Sequence, residues 1–302
     1  MTKTITYLLG MLITILIGTY FFITCCSECN ATSTHEEPAK EKVIVKEPSA
    51  TSYPFAIDAN GFAYNTNDNY NFNVSSNAIL MPLSANLTKG INGLKSYLEA
   101  NDGNVVNVTG YYTSEEENNS AFPNLGLARA NAIKNDLASK GISTAQINTL
   151  GKLMDDMVPK ENTYWGAASF DIEERSVNEK DDLNALYEKI KADPLILYFN
   201  TAEASIYLDA EQRQKVADIS RYIDKVEDAT VSVVGHTDAT GQASTNMALG
   251  QDRAEFAKNY LMQNGIAESK IIATSKGQTQ PIATNATEEG REKNRRTVIT
   301  LN

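Results

Sequence analysis

From residue 190 onward, the apolar positions change period in an order that spells out a small α/β domain. Leu195-Ile196-Leu197-Tyr198-Phe199 is a short apolar run and predicts a strand. Residues 209–227 then place Val216, Ile219, Tyr222, Ile223 and Val226 three and four apart, the spacing of one buried helix face, with Asp209 as its N-cap. A strand at 229–234 follows, then a helix at 245–264 closed by Gly265, a strand at 270–274 and a last strand at 297–301. This β-α-β-α-β…β order predicts a small mixed sheet with helices on one face.

The same order recurs more faintly about 125 residues earlier, the mark of an internal repeat. Residues 71–74 resemble the first strand, 83–98 the first helix and 104–110 the second strand. Leu125-Gly126-Leu127-Ala128-Arg129-Ala130 parallels Leu249-Gly250-Gln251-Asp252-Arg253-Ala254, with Ile133 and Leu137 at the later apolar positions. Residues 165–172 alternate like a closing strand. The expected organisation is therefore two domains, 53–174 and 190–302. The charge-rich residues 175–189 join them.

Residues 5–24 carry no charge, and about twenty such residues suffice to cross a bilayer core. Tyr7, Tyr20, Phe21 and Phe22 lie toward the ends of the run as interfacial anchors do, and Lys3 precedes it. The expectation is an uncleaved transmembrane anchor within 1–30, with the rest of the chain outside the cytoplasm. The competing expectation is lipidation at Cys25 or Cys26, although Phe22-Ile23-Thr24-Cys25 is a poor cleavage box. Residues 31–52, with Glu36-Glu37-Pro38 and Glu47-Pro48, read as a polar linker too poor in apolar residues to fold. All three cysteines, Cys25, Cys26 and Cys29, precede that linker, so no disulfide staples either domain. A net charge of −11 provides no basic patch for a nucleic acid.

The candidate chemistry lies at the end of the strand at 229–234. Gly235-His236-Thr237-Asp238 is followed by Asn246, Leu249, Gly250, Arg253, Ala254, Ala257 and Leu261. This stretch resembles the OmpA-like peptidoglycan-binding family, whose signature is Asn-x2-Leu-Ser-x2-Arg-Ala-x2-Val-x3-Leu. Gly250 and Ala257 depart from it at the Ser and Val positions. The resemblance implies a tandem of OmpA-like α/β sandwich domains and a ligand, the diaminopimelate side chain of the stem peptide. That side chain ends in a free ammonium and a free carboxylate. On this reading Asp238 meets the ammonium and Arg253 grips the carboxylate bidentately. Thr237 and Arg295, the latter in a closing Asn294-Arg295-Arg296 motif, support them. Asn246 is either a ligand contact or the N-cap of its helix.

The resemblance implies no cofactor and no metal. It places the protein on the periplasmic side of a Gram-negative-type envelope, anchored to one of the two membranes and tied to peptidoglycan. An envelope scaffold whose first domain binds another protein is the alternative. A cell-wall hydrolase would need paired carboxylates or a metal-ligand set, and neither motif is present. His236 has no partner for catalysis and reads as a packed, hydrogen-bonded histidine. In the first copy Thr113 or Ser114 stands at the Asp238 position and Phe122 at the Asn246 position. Without that carboxylate the ammonium has no counter-charge, so the first copy is expected not to bind the zwitterion. Glu115-Glu116-Glu117 could substitute from the adjacent loop, but reads first as a solvated loop.

Overall fold

The computed structural model describes residues 13–21, 49–59, 61–199 and 207–302. The chain divides into two compact units, Met1–Glu47 and Pro48–Asn302. In the first unit residues 13–21 are helical and exposed, a length of about 14 Å. Among the described residues no helix is long and apolar enough to cross a membrane. The rest of the expected span at 5–24 lies outside the described residues, as do the three cysteines and most of the expected linker.

The second unit is mixed α/β. Its C-terminal part follows the expected order: β8 (Leu195–Tyr198), α4 (Ala210–Lys225), β9 (Val231–His236), α5 (Ala243–Gln263), β10 (Ile271–Gly277), α6 (Glu288–Asn294) and β11 (Arg296–Leu301). The strands lie in the order β10-β9-β11-β8, with β9 and β10 parallel and β11 antiparallel to both its neighbours. A capping box starts α4, in which Asp209 accepts from the Gln212 N–H and the Gln212 side chain accepts from the Asp209 N–H. Val216, Ile219 and Ile223 of that helix pack on Val231, Val233, Ile299 and Leu301 of the sheet and on Ala254, Ala257 and Leu261 of α5. Burying such a face is what holds an amphipathic helix in place.

The N-terminal part comprises a hairpin of β1 (Phe55–Ala59) and β2 (Phe62–Thr66), then β3 (Phe72–Asn73), α1 (Ala85–Ala100), β4 (Asn104–Tyr112) and α2 (Leu125–Ser139). It ends with β5 (Ile147–Leu153), β6 (Thr163–Tyr164) and β7 (Ala168–Glu174). The order β5-β4-β7, parallel then antiparallel, repeats β10-β9-β11. Smaller features repeat as well. Gly141 and Gly265 end α2 and α5 at φ of +93° and +92°, and a 3-10 turn precedes both β5 and β10.

Two expectations differ from the structure. The first strand of the early copy, β3, has two residues and pairs with β6 rather than with the closing strand β7. The β1–β2 hairpin, which has no counterpart among the described residues of the second copy, brings Phe55 against Phe170 of β7, with ring centroids 4.6 Å apart. Residues 175–189 are not a simple joint. They contribute most of α3 (Glu179–Ala192), whose Leu186, Tyr187 and Ile190 pack into the second core. The halves also share buried polar contacts. Lys134 Nζ lies 2.6 Å from Asp224 Oδ2, and Lys225 Nζ lies 3.3 Å from Glu179 and 2.9 Å from the Ala145 carbonyl.

Candidate functional site

The site forms where β9 ends against α5. The strand and helix approach so closely that a Cβ on Gly235 would lie 1.8 Å from the Gly250 carbonyl oxygen. The pair Gly110 and Gly126 repeats this in the first half, at 2.1 Å. Gly235 thus lets the helix press on the strand, and a Cβ on Gly250, the departure from the Ser of the family signature, would lie 2.3 Å from Ser275 Oγ and 3.0 Å from the Gly235 carbonyl oxygen. One turn later the helix presents Arg253.

Arg253 is 8% exposed. Its Nη1 donates to the His236 carbonyl at 3.0 Å, and its guanidinium lies 5.8 Å from the Phe199 ring centroid. Among the described residues no carboxylate pairs with it, and the rest of its N–H edge makes no other hydrogen bond. Burial and the neighbouring charge of Arg295 lower its pKa, against the support of Asp238. It is a largely buried cation without a carboxylate partner among the described residues.

Asp238 follows the strand. Its Oδ1 accepts from the Thr240 N–H at 2.9 Å and its Oδ2 from Arg295 Nη1 at 3.0 Å. Burial works to raise its pKa, but the Thr240 N–H and the Arg295 guanidinium outweigh this and hold the carboxyl below its usual range. Arg295 also donates to Glu288 at 2.9 Å and lies 3.9 Å from Glu292, so its charge is shared among three acids. An ionised carboxylate has about four lone-pair sites. The Thr240 N–H, the Thr240 hydroxyl and Arg295 use three of them at Asp238, which leaves one for an ammonium.

The supporting residues are drawn in differently from the expectation. Asn246 is buried inside the first turn of α5, whose N-cap is Gln242. Its side chain donates to the Thr240 carbonyl at 3.1 Å and to Gln278 Oε1 at 2.5 Å, tying the loop after β9 to the loop after β10. Thr237 is 3% exposed, its N–H bonded to the Gly277 carbonyl and its hydroxyl to the Asp238 carbonyl. Arg295 faces Asp238 and Glu288. Phe199, Gln278 and Glu288 were not singled out by the sequence pattern. Asn294 organises the loop before α6, accepting from the N–H groups of Ile282 and Ala283.

His236 is buried as expected, but its Nδ1 has no hydrogen-bond partner among the described residues. Burial, with the positive charges of Arg296 and Lys276, lowers its pKa to about 4, so it is neutral at pH 7. A groove of about 550 Å³ between the two halves shares no residue with this site.

The OmpA family model matches residues 198–295, which span this site. A peptidoglycan-associated lipoprotein of Buchnera aphidicola is 30% identical over 121 residues, covering 40% of this chain and 68% of that protein. The chain belongs to the OmpA family. The peptidoglycan-binding protein ArfA of Mycobacterium tuberculosis is 36% identical over 121 residues, and the matched segment spans 36% of ArfA. The crystal structure of the peptidoglycan-associated lipoprotein from Burkholderia pseudomallei matches 35% of this chain and 89% of that one, at 25% identity and a TM-score of 0.32.

The family match ends short of the first half, where the expected solvated loop is corrected. Glu116 is not solvated: its side chain is 1% exposed and pairs with the fully buried Arg129. A polar run carries no sign of burial in its sequence. Here the fold sets a buried guanidinium beneath the loop, and the Glu116 carboxylate meets it at 2.5 Å.

Proposed function

We propose that the C-terminal half of this OmpA-family chain binds peptidoglycan non-covalently and performs no chemistry on it. The ligand is the zwitterionic end of diaminopimelate: its carboxylate lies on Arg253 and its ammonium on Asp238. Asn246 and Thr237 fix the loops that carry the acid, and Arg295 orients it. The observation that carries this reading is the state of Arg253. The residue is buried, held by the His236 carbonyl and set beside Phe199, yet has no carboxylate among the described residues. A built guanidinium without an anion, near an ionised aspartate, suits a ligand bearing both charges. The names of the peptidoglycan-binding and peptidoglycan-associated relatives support peptidoglycan as the polymer bound.

On this reading the N-terminal half is an OmpA-like copy that does not bind the zwitterion. The segment at 5–24 anchors the chain in a membrane, as a span or beside an acylated Cys25 or Cys26, and places both halves on the periplasmic side. The protein then ties that membrane to the wall. The test is sedimentation of the full chain with two kinds of sacculi. Lysine in place of diaminopimelate keeps the ammonium and lacks the outer carboxylate. The chain should pellet with diaminopimelate-type sacculi and stay in solution with lysine-type ones. Equal pelleting with both would refute the carboxylate contact.

A further inference from the structure

The two arginines sit in the same construction. Arg129 on α2 follows Gly126, and Arg253 on α5 follows Gly250. In each half the glycine presses on a strand glycine, Gly110 or Gly235. The next strand residue then offers its carbonyl: Tyr111 accepts from Arg129 Nη1 at 2.7 Å, as His236 does from Arg253 Nη1 at 3.0 Å. Aromatic rings lie beside both guanidinium groups, Phe72 and Tyr164 at 5.3 and 5.4 Å in the first half and Phe199 at 5.8 Å in the second.

The halves diverge in what meets the remaining N–H groups. In the first, Glu116 grips the guanidinium as a fork, with Oε1 at 2.5 Å from Nη2 and Oε2 at 3.1 Å from Nη1. The same two oxygens accept from the Ser75 N–H at 2.9 Å and the Thr113 N–H at 3.0 Å. The carbonyls of Ser76 and Asn73 take the other N–H directions at 3.0 and 3.2 Å. Every feature of a carboxylate-binding site is present, including the carboxylate.

We infer that Glu116 is a built-in ligand: the first half retains a carboxylate site on Arg129, made like the one around Arg253, and fills it with its own side chain. The inference rests on reading Arg253 as a carboxylate site. Four hydrogen bonds and the burial of its side chain, 1% exposed, hold Glu116 in place, so a stem-peptide carboxylate in solution does not displace it. The first half is thereby a closed copy, free to act as a structural partner of the second. Loss of the acid at the Asp238 position and filling of the Arg129 pocket both remove zwitterion binding.

The test is rescue by a small anion in the full chain. Glu116→Ala deletes a CH2–COO⁻ unit, the volume and charge of acetate. An Arg253→Ala background removes the open guanidinium of the second half. In Glu116→Ala/Arg253→Ala, acetate should raise the melting temperature with the logarithm of its concentration above the dissociation constant, by about 3 to 6 °C at ten times that constant. Chloride at equal ionic strength should not. Arg253→Ala alone should show no acetate-specific rise, and adding Arg129→Leu to the double variant should abolish it. If the double variant is unfolded in plain buffer, acetate must restore its folded signal. No acetate-specific stabilisation, or one that survives Arg129→Leu, would overturn the inference. Wall binding by the parent chain is read separately, and its failure would leave the acetate result unaffected.

Discussion

A methyl group on Gly235 would lie 1.8 Å from the carbonyl oxygen and 2.7 Å from the carbonyl carbon of Gly250. Ordinary contact of a Cβ begins near 3.4 Å, so β9 and α5 would have to separate by about 1.6 Å. Both obstructing atoms belong to the backbone, and no side chain can swing aside. Overpacking of this kind costs about 1 to 3 kcal/mol, and the rigid partner puts Gly235→Ala near the upper end. The same displacement carries Arg253 away from the His236 carbonyl and from Asp238. Binding geometry tolerates only about 0.5 Å, so affinity for sacculi should fall roughly tenfold or more. Gly110→Ala meets Gly126 at 2.1 Å and should cost similar stability while leaving wall binding intact. Urea denaturation and sacculus sedimentation of the two variants provide the comparison. The reasoning fails if Gly235→Ala matches the parent in both, or if Gly110→Ala loses binding equally.

Three further outcomes follow from charges the fold buries. His236 titrates near 6.5 when unfolded and near 4 when folded, so below 6.5 the unfolded state binds a proton that the native state refuses. Stability should therefore fall by up to about 3 kcal/mol as pH drops from 6.5 to 4, and His236→Gln should flatten that part of a denaturation-versus-pH curve. Lys134→Met leaves Asp224 without the ammonium at 2.6 Å and should destabilise by about 3 to 5 kcal/mol, measured by urea denaturation. Lys134→Met/Asp224→Leu should recover much of that loss. The pKa of Asp238 is held low, so wall binding should persist as pH falls toward the usual carboxylate range and be lost only below it; sedimentation across pH tests this, on parallel samples checked for folding.

Much of the second half was legible because its apolar periods are clean and its signature residues keep a fixed register. Leu249, Gly250, Arg253 and Ala254 predicted both the helix and its repeat at 125–130, since a strand–helix contact this tight restricts which residues fit. The role of Asn246 was not legible. Its partners, Thr240 and Gln278, lie in two loops that only the folded sheet brings together. Helix α3 was hidden because Glu179, Asp181, Asp182, Lys189 and Lys191 dominate the composition, while one sparse stripe supplies the buried face. β3 pairs with β6 while the β1–β2 hairpin packs over β7, a tertiary arrangement with no local signal. Glu116 was misread for the same reason. What makes it a buried residue is Arg129, thirteen positions on and one helix away.

The central claim is that Asp238 and Arg253 hold the two charged ends of one ligand. It is tested most directly by the dissociation constant for diaminopimelate-type sacculi, measured by sedimentation of the full chain and its Asp238→Ala and Arg253→Ala variants. Each variant removes a charge-assisted contact of about 1.5 to 3 kcal/mol, so each constant should rise roughly ten- to hundredfold with the fold intact. Arg129→Ala is not a fair control, because it strands the buried Glu116; Lys95→Ala, an exposed pair with Glu99, should bind like the parent. If Arg253→Ala is folded and binds like the parent, the clamp is not the means by which this protein holds the wall.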